Sequence, residues 1–158
     1  MHDSTPAPAP SSPLSFRELG LPPTVVANLD ALGYTVPTPI QAASLPAALS
    51  GRDVMAQAKT GSGKTAAFGL SLLAQLHTEF RGTQALVLCP TRELAEQVAG
   101  EIRRLAKSES NLKVLVLCGG APIRPQLASL EHGAHVVVGT PGRVLDHLRR
   151  GSLSLEAL

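Results

Sequence analysis

Tryptophan is absent from this chain, and one tyrosine and three phenylalanines are its only aromatic residues. A core built on stacked rings is therefore excluded. With 44% hydrophobic residues in 158, the chain can still bury a core, and that core must be aliphatic. No apolar run reaches the roughly 18 residues that a bilayer span needs. No basic start leads into an apolar stretch, so no secretory signal is read. The expectation is a cytoplasmic protein without a membrane partner. Cysteine is scarce too. Cys89 and Cys118 each close an aliphatic run, and reduced, buried, structural thiols are expected. The five histidines form no metal-ligand pattern with cysteines, and His132 and His135 are merely the nearest pair. A net charge of +2 is too small to draw nucleic acid in bulk. RNA binding would need groups placed on one face.

What is present has a clear order. Residues 1–13, MHDSTPAPAPSSP, are Pro, Ala and Ser-rich, and are read as a disordered tail ahead of one ordered unit, 14–158. LPPTVVANLDALG predicts a helix stopping at Gly33. TPIQAASLPAALSG predicts a second, capped by Thr38 with Pro39 at its first position and ended by Gly51. Pro46 is expected to kink or divide it. Strands and helices then alternate. Strands are expected at Asp53–Ala58, Gln84–Cys89, Leu112–Cys118 and His135–Gly139. Helices are expected from Gly63 to about Phe80, Thr91 to about Ala106, Pro125 to Glu131, and Gly142 to about Arg149. Strands apolar on both faces are buried on both, which predicts an α/β fold with a parallel sheet covered by helices.

Between the first expected strand and its helix lies AKTGSGKT, Ala58–Thr65. Gly61 and Gly63 can adopt backbone angles closed to other residues, so that successive N–H groups converge on one anion. The helix N-terminus adds positive potential there. Lys64 is placed to reach the β- and γ-phosphates of a nucleotide, and the Thr65 hydroxyl to ligate Mg²⁺. Ala58 stands where the general phosphate-loop pattern has glycine. Hydrolysis also needs a carboxylate at the end of another strand. The later strands end in Cys89-Pro90, Cys118-Gly119-Gly120 and Gly139-Thr140-Pro141. Glu93 and Asp146 fall in helices and are read as solvent-facing or helix-dipole residues.

Taken together, the segments resemble the DEAD-box ATP-dependent RNA helicases over about Phe16 to Leu158. GYTVPTPIQ, Gly33–Gln41, resembles the Q motif, with Phe16 at the place of its upstream aromatic. AKTGSGKT resembles motif I, where alanine at the first position is the family's own usage. PTRELA, Pro90–Ala95, resembles motif Ia; Gly119-Gly120 the GG motif; and TPGR, Thr140–Arg143, motif Ib. The flanking residues are similar to a bacterial member that acts in large-subunit ribosome assembly, which points to ribosomal RNA.

The resemblance implies a RecA-like P-loop domain. The acidic motif is expected on a strand just after Leu158, and a second RecA-like domain, also missing here, is expected as a partner. The chain is then the front part of a helicase, binding ATP and Mg²⁺ without efficient turnover. Gln41 would read adenine through the donor and acceptor of its amide, with Phe16 or Tyr34 near the base. Thr60, Gly61, Ser62, Gly63, Lys64 and Thr65 would follow the phosphates. Pro90, Thr91, Arg92, Gly119, Gly120, Thr140, Pro141, Gly142 and Arg143 would meet the RNA backbone independently of sequence. Closure of the two domains on ATP and RNA would bend one strand of a duplex and release its partner. Arg103, Arg104 and Lys107 are read as a solvated helix face, and Arg149 and Arg150 as complements to a helix dipole. A small P-loop kinase and a non-catalytic RNA-binding module are the competing readings.

Overall fold

The computed structural model describes residues 15–158. The expected tail, 1–13, lies outside the described residues. A 3₁₀ turn, Phe16–Leu19, leads into α1 (Pro23–Ala31) and α2 (Pro39–Leu49). Then come α3 (Lys64–Leu73), β1 (Ala85–Leu88), α4 (Arg92–Leu105), β2 (Val114–Leu117), α5 (Ile123–Glu131), β3 (Val136–Gly139) and α6 (Pro141–Arg149).

The three strands are parallel, in the order β1-β3-β2, with Leu88 and Leu117 both level with Gly139. The pleat sends alternate side chains to opposite faces. Ala85, Val136 and Val138 join one core with Leu29 of α1, Leu45 of α2, Leu70 of α3 and Ile102 of α4. Leu117 and Val137 join another with Val144 of α6 and Leu153. Val136, Val137 and Val138 are wholly buried, as expected of a central strand covered on both faces.

Three sequence expectations need correction. Asp53–Ala58 is not a strand. Residues 53–57 are all exposed, Met55 fully so, and the segment pairs with no strand among the described residues. An apolar run without a partner ladder has nothing to hold it extended. The helix after the glycine-rich loop stops at Leu73 and does not reach Phe80. Gln84 explains this, since its side chain accepts from His77 N (2.8 Å) and donates to the carbonyls of His77 (2.8 Å) and Phe80 (2.9 Å). Those bonds wrap the segment into a turn. Pro46 does not divide α2. It sits in the last turn, next to the fully buried Leu45, where losing one backbone bond leaves the helix intact.

Both cysteines are free and buried. His135 is buried with both ring nitrogens bonded to backbone. Nδ1 accepts from Lys113 N at 2.9 Å, and Nε2 lies 3.1 Å from the Thr78 carbonyl. No helix among the described residues is long and apolar enough to cross a membrane.

Candidate nucleotide and nucleic-acid site

The glycine-rich loop leads directly into α3, whose N-cap is Gly63. Gly61 and Gly63 both have positive φ, 80° and 90°, as the sequence predicts. The loop is docked on the start of α2. Thr38 Oγ1 donates to the Ser62 carbonyl at 2.9 Å, and Gln41 Nε2 donates to the Gly63 carbonyl at 3.2 Å. The other end of the Gln41 amide accepts from Thr38 N at 2.9 Å, closing a capping box. Gln41 is 1% exposed, and a Cβ on Gly63 would stand 2.5 Å from its Nε2. The pentapeptide from Thr38 to Ala42 therefore acts as a saddle for the loop.

Lys64, the first residue of α3, reaches back to the loop. Its Nζ donates to the Lys59 carbonyl at 2.8 Å and to the Ala58 carbonyl. The Ser62 hydroxyl is buried and has no hydrogen-bond partner. Thr60 and Gly61 are exposed; Ala58 and Thr65 are half-buried. A loop with two positive-φ glycines, a lysine drawn onto loop carbonyls and an orphaned hydroxyl fits a polyanion. Such a loop has the kind of donors that the expected phosphates would require.

Tyr34 and Phe16 meet edge to face, with centroids 6.4 Å apart. Phe16 is 2% exposed and belongs to the core, so it offers no open face in this structure and instead backs Tyr34. On the far side of Tyr34, the Arg104 guanidinium lies 5.2 Å from the ring centroid and donates to the phenol oxygen. Arg104 also pairs with Glu101 at 2.7 Å, a bond that raises its already high pKa further. Arg103 and Arg104 are both exposed, as expected of a solvated helix face, and Arg103 also donates to the Val114 carbonyl at 2.8 Å. Asp146 pairs with Arg150 at 2.8 Å, and that bond lowers its pKa.

The second group of residues lies where the strands end. Pro90, Thr91 and Arg92 follow β1, Gly119 and Gly120 follow β2, and Thr140, Pro141 and Gly142 follow β3. Because the strands are parallel and adjacent, these segments share one edge of the sheet. All are exposed except the half-buried Thr140. Thr91 caps α4 by accepting from Leu94 N at 3.2 Å, whereas the Thr140 side chain makes no cap bond. A Cβ on Gly120 would lie 3.8 Å from the Arg92 guanidinium, so the loops after β1 and β2 meet. None of the three strand ends among the described residues carries an Asp or Glu.

Arg143 has internal partners. It is half-buried and turned inward, donating to the Ala121 carbonyl (3.1 Å from both terminal nitrogens) and to Gln126 Oε1 (3.0 Å). Gln126 and the fully buried His147 were not singled out from sequence. One is an ordinary helix residue in the chain, the other an isolated histidine, and only tertiary contact brings them together.

Residues 38–158 match the DEAD/DEAH box helicase family. The chain belongs to that family. It is 62% identical over 138 residues to the ATP-dependent RNA helicase DbpA of Escherichia coli (strain K12), covering 87% of this chain and 30% of that protein. It is 50% identical over 144 residues to the ATP-dependent RNA helicase DeaD of the same strain, covering 91% of this chain and 23% of that one. The chain thus spans about a third or less of these helicases. Among solved structures, a DEAD box protein from the hyperthermophile Methanococcus jannaschii superposes with a TM-score of 0.85 at 43% identity, over 91% of this chain and 39% of that one. Saccharomyces cerevisiae Dbp5 bound to RNA and ADP BeF3 gives 0.81 at 34% identity, over 91% and 36%. The DEAD-box RecA-like fold is that of this chain, and the family is one of nucleotide-using helicases.

Proposed function

We propose that this chain is the N-terminal ATP- and RNA-binding part of an ATP-dependent RNA helicase of the cytoplasm, acting on ribosomal RNA during large-subunit assembly. The observation that carries the reading is the saddle. Gln41, the expected adenine reader, and the Gly63-Lys64 pair, the expected phosphate binders, are joined by a direct hydrogen bond. The two expected halves of the nucleotide site are therefore neighbours in the fold.

The backbone N–H groups of Gly61, Ser62 and Gly63, with the first turn of α3, would bind phosphate oxygens. Lys64 would exchange its two carbonyl partners for the β- and γ-phosphates. The Thr65 hydroxyl would hold Mg²⁺, which supplies charge neutralisation between phosphate oxygens. Each end of the Gln41 amide keeps one further bonding position beyond the saddle, enough for the N7 and N6 positions of adenine. The rim after β1, β2 and β3 would contact phosphates and sugars, so RNA binding is independent of base sequence. A carboxylate to complete hydrolysis and a second RecA-like domain would come from elsewhere in the whole protein. This chain alone is expected to bind ATP without turning it over efficiently.

The test is titration of fluorescent ATP and GTP analogues into the chain. Selective binding of the adenine nucleotide is expected, with at least a hundredfold loss in Lys64→Ala, on the scale of about 3 kcal/mol for a charge-assisted bond to a charged ligand. Equal affinity for ATP and GTP would overturn the adenine reading. Unchanged affinity in Lys64→Ala would overturn the phosphate reading.

A further inference from the structure

The exposed Gly119-Gly120 pair, at the end of β2, has an anchored carbonyl on each side. Before it, the Cys118 carbonyl accepts from Gln126 Nε2 at 3.2 Å. After it, the Ala121 carbonyl accepts from both terminal nitrogens of Arg143 at 3.1 Å. The two anchors are not independent. Gln126 Oε1 accepts from Arg143 at 3.0 Å and from His147 Nε2 at 3.0 Å. His147 is in turn held through Nδ1 by Ser152 Oγ at 2.9 Å. Gln126 is 9% exposed and His147 wholly buried, so these are bonds that water does not replace.

We propose that Gln126 is the positioning residue for the RNA-facing glycine loop, with one amide fixing the carbonyls on both sides of Gly119-Gly120, directly at Cys118 and through Arg143 at Ala121. Arg143 then serves RNA binding from behind the loop and does not touch the strand. The loop needs such a clamp. Nothing lies within 4 Å of the place where a Cβ of Gly119 would stand, and Gly120 has a φ of 79°, so neither residue is held by side-chain packing of its own. Two adjacent glycines are the most mobile dipeptide a chain can offer. A backbone that presents N–H groups to a phosphate must be fixed in advance if binding is not to bear the cost of ordering it.

This inference rests on the RNA face proposed above, and the test separates the two. In the intact protein, amide hydrogen exchange at Gly119–Ala121 is measured without RNA, and affinity for a fluorescein-labelled oligouridylate is measured beside affinity for a fluorescent ADP analogue. Gln126→Leu is expected to raise exchange at the loop at least tenfold and to weaken oligouridylate binding about tenfold, with ADP affinity unchanged. Gln126→Glu keeps an acceptor for Arg143 and His147 but loses the donor to Cys118, and is expected to fall between Leu and wild type. Should Gln126→Leu fail to fold, Arg143→Met removes the Ala121 anchor and one bond to Gln126 while leaving the donor to Cys118 in place, and is expected to raise exchange at Ala121. Wild-type exchange at the loop in the folded variants would overturn the clamp. Equal losses of ADP and oligouridylate binding would also overturn it, by showing a global effect. Loop exchange that rises while even the wild type fails to bind oligouridylate would leave the clamp standing and sink the RNA face.

Discussion

Gln41 Nε2 donates to the carbonyl of Gly63, 22 positions later in the chain, while its Oε1 accepts from the backbone of Thr38. One side chain thus caps α2 and holds the last residue before α3. The loop between them is positioned by the helix before it, not by the sheet.

Gln41→Ala is therefore expected to act twice. It removes the capping-box bond and leaves the Gly63 carbonyl short of a buried donor, a combined loss of about 2–3 kcal/mol. Chemical denaturation would read the stability change, and adenine-nucleotide titration the loss of affinity. Thr38→Val, which removes the hydroxyl bond to Ser62 and the hydroxyl half of the capping box but keeps the Gln41 bond to Gly63, is expected to cost less.

Gly61 and Gly63 share a backbone conformation but not their surroundings. At Gly61 a Cβ meets nothing within 4 Å, so Gly61→Ala carries only the left-handed penalty of about 1–2 kcal/mol. At Gly63 the same atom would collide with Gln41 and Thr38. Gly63→Ala is expected to displace the saddle and to lose nucleotide binding almost entirely, whereas Gly61→Ala retains much of it.

Much of this was legible in the chain. The three strands that form a sheet are apolar on both faces, and their ends carry short motifs whose residue types suit phosphate. Gly61 and Gly63 adopt the left-handed angles that the loop pattern called for, and α3 begins at Lys64. Asp53–Ala58 misled because composition shows that a segment can extend but not whether a neighbour exists to receive its hydrogen bonds. The turn at Gln84 was hidden because its cause is a side chain seven residues away. Arg143 shows a different limit. Its motif marks it as a candidate rim residue but does not reveal its bonds to the Ala121 carbonyl and Gln126, and Gln126 itself carries no pattern at all.

Arg92 and Arg143 should separate in a salt titration of RNA binding. Arg92 is exposed at the rim, so Arg92→Ala is expected to weaken oligouridylate binding and to reduce the slope of log affinity against log salt by about 0.7. Arg143→Met removes no phosphate contact. It is expected to weaken binding while leaving that slope close to the wild-type value.

His147 gives the fold a pH dependence. Burial, and then the nearby Arg143 charge, lower its pKa from 6.5; Asp146 opposes this and Arg150 reinforces it. The unfolded chain therefore takes up the proton first as pH falls. The stabilisation is present in full above about 6.5 and declines from there down through the lower, folded value. Denaturation midpoints between pH 7.5 and 5.5 are expected to fall more steeply in the wild type than in His147→Gln, which keeps a donor for Gln126 but does not titrate.

The ammonium group of Lys64 already rests on two main-chain oxygens of the loop before it. An incoming anion therefore enters by displacing these internal partners, and the heat released on binding is a difference between two sets of contacts. Ligands of low charge density compete poorly with such a self-solvated cation, so discrimination among tri-, di- and monophosphates begins with what this lysine must give up.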